Sequence, residues 1–150
     1  MTLSLQEISD RMEIQDLLVE YSYAIDQRDW DALDRVFTPD AFIDFTETGG
    51  ARGGLGEIKK FLASALVHFA SSQHLVATSQ ITIDGDAAEG RTICHNPMIL
   101  DGKSGGPAQI WFVGLWYLDR FVRTPAGWRI RERRQKRSYM CQLPAAPDRK

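Results

Sequence analysis

Apolar residues recur at helical spacing early in the chain, where Ile14, Leu17, Leu18, Tyr21, Ala24 and Ile25 mark one stripe. Ser4-Leu5-Gln6-Glu7 precedes the stripe as a capping box, its hydroxyl taking an amide of the first turn while Glu7 reaches back. A helix is therefore predicted from there to about Gln27. Asp29 is placed to cap a short second helix through Trp30, Leu33, Val36 and Phe37, which Thr38-Pro39-Asp40 stops. Residues 41–45 then read as a strand. Glycines at 49, 50, 53, 54 and 56 make a mobile connection without the strand-turn-helix pattern of a phosphate loop, and a third helix is predicted over residues 55–69.

From Ser71 onward the pattern changes to that of long antiparallel strands. They are predicted over residues 73–83, 87–100, 108–122 and 128–141, with tight turns at Asp84-Gly85-Asp86 and Thr124-Pro125-Ala126-Gly127 and a glycine-rich loop at 101–107. Helices first and a meander afterwards predict an α+β domain whose curved sheet wraps around the helices. The strand over 108–122 is apolar on both faces, with Ile110, Phe112, Trp116 and Leu118 on one and Trp111, Val113, Leu115, Tyr117 and Phe121 on the other. The helices are too few to cover both, so a homo-oligomer is expected.

The chain has 150 residues, 43% of them hydrophobic and 25% charged, which fits one domain with one core and needs no disulfide or metal staple. No repeat or internal linker divides it, so residues 4–141 read as one unit and residues 143–150 as a frayed tail. No apolar run approaches the ~18 residues of a membrane span, and no leader pattern stands at the start, so a soluble cytoplasmic protein with no membrane role is expected. A net charge of −2 gives no overall attraction to a nucleic-acid backbone. The basic stretch from Arg129 to Arg137 lacks the interleaved aromatics of a stacking surface, so no nucleic-acid partner is expected. Cys94 and Cys141 lie far apart and read as reduced thiols. The three histidines have no tight ligand spacing, which argues against zinc.

The segment Tyr21-Ser22-Tyr23-Ala24-Ile25-Asp26-Gln27-Arg28-Asp29-Trp30, followed by Phe37-Thr38-Pro39-Asp40-Ala41, resembles the opening of the SnoaL-like families of the nuclear-transport-factor-two-like cone fold. His74 before Ile81-Thr82-Ile83-Asp84-Gly85-Asp86 fits as well, as does Trp116-Tyr117-Leu118-Asp119-Arg120 leading to Gly127-Trp128-Arg129-Ile130. The resemblance covers nearly the whole chain. It implies a cone-shaped α+β barrel with a strongly curved, mostly antiparallel sheet around N-terminal helices.

Within these families the pattern is most similar to the group of scytalone dehydratase, hexachlorocyclohexane dehydrochlorinase and bile acid 7α-dehydratase, all lyases. Their shared aspartate and histidine match Asp26 and His74. The resemblance further implies substrate contacts from Tyr21 and Arg137, which match the bile acid enzyme, from His95, which matches the scytalone enzyme, and from Asn96. Asn96 stands where the bile acid enzyme has an acidic residue, and two water-positioning tyrosines of the scytalone enzyme fall at Ile25 and Phe45. The site patterns of ketosteroid isomerases and epoxide hydrolases have no counterpart. The lyases of this group lead to a trimer being favoured over a dimer.

A carboxylate held against one imidazole nitrogen fixes the tautomer, raises the basicity of the ring and stabilises the imidazolium after proton uptake. The expected function is thus a cofactor-independent elimination on a small hydrophobic cyclic molecule, with His74 as base, Asp26 as its partner and no metal. An isomerase or cyclase of a carbonyl-containing ring compound would use the same base, and a non-catalytic binding or oligomer-supporting module would have the same shape. The helical wheel speaks against Asp26 facing a cavity, because five residues advance by 500° and set it about 140° from Tyr21.

Overall fold

In the computed structural model residues 2–101 and 107–145 are described. Helix α1, Leu5–Gln27, begins as its capping box dictates: the Glu7 amide donates to Ser4 Oγ at 3.1 Å and the Ser4 amide to Glu7 Oε2 at 2.7 Å. Its inner side buries Ile14, Leu17, Leu18, Tyr21, Ala24 and Ile25, while Leu5, Ile8, Met12, Val19 and Tyr23 remain exposed on the rest of its surface. Arg28, in the left-handed conformation at φ 61°, terminates it. Asp29 Oδ1 accepts the Ala32 amide at 3.2 Å in the turn leading to α2, Leu33–Val36.

Strand β1, Phe37–Asp44, starts earlier than the proline suggests, because Phe37 already pairs beside Ile130 of the last strand. The glycine-rich connection is built of a 3-10 turn at Thr46–Thr48 and a short strand β2, Arg52–Gly54. Helix α3 covers Leu55–Ala65, shorter than its periodicity implies, and a 3-10 turn at Leu66–His68 leads into β3, Phe69–Ser72. A break at residues 73–74 separates β3 from β4, Leu75–Asp84. β5, Ala87–Leu100, β6, Gln109–Thr124, and β7, Gly127–Pro144, complete the order. Residues 102–106 of the expected loop and 146–150 of the expected tail lie outside the described residues.

The strands form one open, curved, mixed sheet in the order β2-β1-β7-β6-β5-β3, with β4 also paired to β5. All pairings are antiparallel except β1 with β7, which is parallel. The concave face packs Cys94, Val113, Leu115, Tyr117, Phe121 and Ile130 against α1, and this is the core. Two irregularities change which residues face inward. A bulge at Thr78, at φ 56°, puts Ser79, Ile81 and Ile83 on the inner face instead of Thr78 and Gln80. A register shift at Arg131 turns Arg133 inward behind Ile130.

Arg133 is fully buried there. Its Nε and Nη2 each donate to Asp119 at 2.7 Å, and its guanidinium lies 4.1 Å from the Tyr21 ring centre and 4.0 Å from that of Tyr117. At the other end of α1, Asp10 accepts two bonds from Arg123, at 2.7 and 2.8 Å, and one from Trp128 Nε1 at 3.0 Å. The Arg123 bonds hold the Asp10 carboxyl far below the ordinary carboxylate range. The Asp10–Arg123 pair thus ties the start of α1 to β6, whereas the Asp119–Arg133 pair lies within the sheet and meets α1 through the Tyr21 ring. Among the described residues no helix is long and apolar enough to cross a membrane.

Candidate functional site

The last turn of α1 meets the break between β3 and β4. Asp26, which the helical wheel turns toward solvent, reaches sideways beyond the helix end and is only partly exposed. Its Oδ1 accepts from His74 Nδ1 at 2.7 Å and from the Ser72 hydroxyl at 2.9 Å, and its Oδ2 accepts the His74 backbone amide at 2.8 Å. Burial opposes its ionisation, but the hydrogen bonds from His74 and Ser72 outweigh that cost and hold the carboxyl below the ordinary range. An ionised carboxylate only accepts, so the proton of this contact belongs to His74 Nδ1. Nε2 carries the lone pair whenever the ring is neutral, and no described residue bonds it.

Arg28 fixes this arrangement from behind. Its Nη1 donates to Ile25 O at 3.2 Å and to Ser72 Oγ at 3.2 Å, and its Nη2 to Phe69 O at 3.2 Å, tying the end of α1 to β3. Neither Arg28 nor Ser72 stood out as a site residue in the sequence. Arg28 lies two positions after Asp26 in the motif, but nothing in the sequence marks Ser72.

His74 forms part of the wall of a cavity of about 240 Å³ bounded by α1, α3, the glycine-rich connection and the concave sheet and open on one side. Most of that wall is apolar, from Ile25, Phe45, Phe61, Leu66, Met98 and Met140 among others. Ile25 and Phe45, the two positions where the scytalone enzyme carries tyrosine, thus line it without hydroxyl groups. Tyr21 and Asn96 also line it, as do Trp111 and Gln135, which sequence reasoning had not placed there as polar groups. Gln135 is hydrogen-bonded to the Thr48 hydroxyl across the cavity rim. Burial pushes the Tyr21 hydroxyl above its usual pKa, so it stays protonated and able to donate.

His95 and Arg137 are elsewhere. His95 precedes Asn96 on β5, and neighbours on a strand point to opposite faces. With Asn96 inward, His95 lies on the convex face against Phe112 and Tyr139, at ring separations of 5.9 and 6.2 Å. Arg137 is exposed in the middle of β7, beside Leu115, and is not part of the cavity wall; its backbone amide donates to Glu47. The basic residue of β7 that does turn inward is Arg133, behind Tyr21.

An α+β cone with an apolar chamber, and a carboxylate held against an imidazole of the chamber wall, places the chain among the cone-shaped domains. The chain belongs to the SnoaL-like domain family, whose profile it matches over residues 6–134. An uncharacterized protein of Mycobacterium tuberculosis (strain H37Rv) is 50% identical over 137 residues, 91% of each chain. Among solved structures, the Kfla4162 protein of Kribbella flavida superposes with a TM-score of 0.81 at 28% identity, covering 89% of this chain and 94% of its own.

Two further neighbours carry enzyme names. A protein of Novosphingobium aromaticivorans provisionally named scytalone dehydratase has a TM-score of 0.75 at 18% identity, covering 95% of this chain and 91% of its own. The type 3 hexachlorocyclohexane dehydrochlorinase of Novosphingobium barchaimii has a TM-score of 0.78 at 18% identity, with 96% and 99% covered. The fold is the nuclear-transport-factor-two-like cone, here with an open, mixed sheet.

Proposed function

We propose that this protein is a cofactor-independent lyase that eliminates water or halide from a small hydrophobic cyclic molecule, with the Asp26–His74 pair as general base. The observation that carries the reading is the 2.7 Å contact between Asp26 Oδ1 and Nδ1 of His74, a residue of the cavity wall. Nε2 takes a proton from substrate carbon, the electron pair of that C–H bond becomes the new double bond, and the leaving group departs with its own bonding pair. Asp26 stabilises the imidazolium so formed. The Tyr21 hydroxyl supports the leaving oxygen or halide, and the apolar wall excludes water that would compete for the proton. The two fold neighbours named as a dehydratase and a dehydrochlorinase support a lyase role.

Turnover of a panel of hydroxylated and halogenated cyclic compounds in deuterated water tests this. Elimination releases the leaving group, whereas an isomerase returns a solvent deuteron to product carbon. Asp26→Asn and His74→Ala are each expected to lose at least about 100-fold in kcat/KM with circular dichroism unchanged. Full activity in either variant refutes the pair.

A further inference from the structure

Two buried polar atoms in the cavity wall have no partner. Asn96 is 7% exposed and its Oδ1 is completely buried without a hydrogen bond, and the same holds for Trp111 Nε1. Buried polar groups in folded proteins are nearly always bonded, so two in one chamber call for an explanation. Both side chains belong to the cavity wall.

Their placement follows from the register. Asn96 pairs with Val113 and Met98 with Trp111, so Asn96 and Trp111 are diagonal neighbours on the concave face of β5 and β6. The Gln73 amide donates to Pro97 O at 3.1 Å, which brings His74 alongside the same stretch of β5. An imidazole, a carboxamide oxygen and an indole N–H thus follow one another across the sheet.

We propose that Asn96 and Trp111 form a two-point recognition device for an oxygenated ring, one hydroxyl meeting Asn96 and a second oxygen accepting from Trp111. This rests on the reading of the cavity as the substrate site and names the class of substrate it takes: a carbocycle with two oxygen functions, such as a hydroxylated cyclic ketone, rather than a halogenated hydrocarbon. A hydroxyl supplies the partner that the protein does not, and because it both donates and accepts it satisfies the Asn96 amide in either orientation. Carbon-bound chlorine donates nothing to Oδ1 and accepts only feebly from Nε1, so a chlorinated ligand leaves both groups stranded. Sites with unsatisfied polar groups reject the ligand that lacks the matching function far more strongly than apolar pockets reject a size mismatch.

Resorcinol and 1,3-dichlorobenzene are the probes, since neither can undergo elimination and the result is independent of turnover. Loss of lyase activity with resorcinol recognition intact would overturn the proposed function alone. Asn96→Leu and Trp111→Phe are each expected to weaken resorcinol binding about tenfold by calorimetry while 1,3-dichlorobenzene binds no worse. In protein labelled with ¹⁵N at tryptophan, the indole N–H resonance that Trp111→Phe removes should move downfield with resorcinol and not with the chlorinated ring. This second readout needs no Asn96 variant to fold. The proposal fails if resorcinol does not bind the unaltered protein, if the variants weaken both ligands equally, or if the Trp111 resonance ignores resorcinol.

Discussion

Asp26 accepts three hydrogen bonds, and two of the donors belong to His74 itself. The third comes from Ser72, and its contribution can be isolated. The carboxyl is held below the ordinary range, so the stability Asp26 contributes is complete above that range and is lost as pH falls through its lowered value. Ser72→Ala removes one of the bonds holding it there. The Asp26 titration midpoint should rise, as read from its carboxyl ¹³C shift, and kcat/KM should fall about fivefold, the equivalent of one hydrogen bond worth ~1 kcal/mol. An unmoved midpoint would deny the hydroxyl any share. At this scale the sequence spoke through resemblance: the motif around Asp26 and the lone His74 pointed to each other, while the wheel pointed Asp26 outward. The wheel misleads because it treats a residue in the last turn as if the helix continued. Beyond Arg28 there is no further turn, and the carboxylate can reach residues 72–74.

At the level of elements, capping and turn chemistry were legible because they depend on neighbours in sequence. Ser4 with Glu7 starts α1, and Asp84-Gly85-Asp86 joins β4 to β5, as the pattern predicts. Which face a strand residue occupies was less legible, because one extra residue reverses every side chain beyond it. Nothing local marks Thr78 or Arg131 as the place where this happens. The consequence on β7 is that strict alternation groups Arg133 with Arg129, Arg131 and Arg137, whereas Arg133 is the one enclosed among Tyr21, Tyr117 and Asp119. Removing one member of a buried pair leaves an uncompensated charge. Asp119→Ala should therefore cost about 3–5 kcal/mol in urea unfolding, and Arg133→Met combined with Asp119→Leu should cost less than either single change. A double variant as unstable as the sum of the two would show the groups to be uncoupled and would sink this reading.

Across the whole molecule, the helices cover only the concave side of the sheet. The convex side presents the half-buried Ile110, Phe112, Trp116 and Leu118 with the more exposed Ile93, Tyr139 and Leu143, and α1 has exposed Leu5, Met12 and Tyr23. We propose that copies of this chain cover part of this surface, with a trimer favoured over a dimer. Light scattering after size exclusion should give a multiple of the 17.0 kDa chain mass, which Phe112→Asp on the convex face should reduce to a single chain. A wild-type mass of one chain would end the proposal.

The parallel contact between β1 and β7 has a consequence for biogenesis. Phe37 waits for Ile130: β1 can meet β2 soon after both are made, but its other neighbour, β7, exists only after nearly all of the cone has been translated. Such long-range closure makes folding slow and leaves the nascent chain sticky in the meantime. During synthesis, holdase chaperones would find their natural target in the apolar stripe of α1.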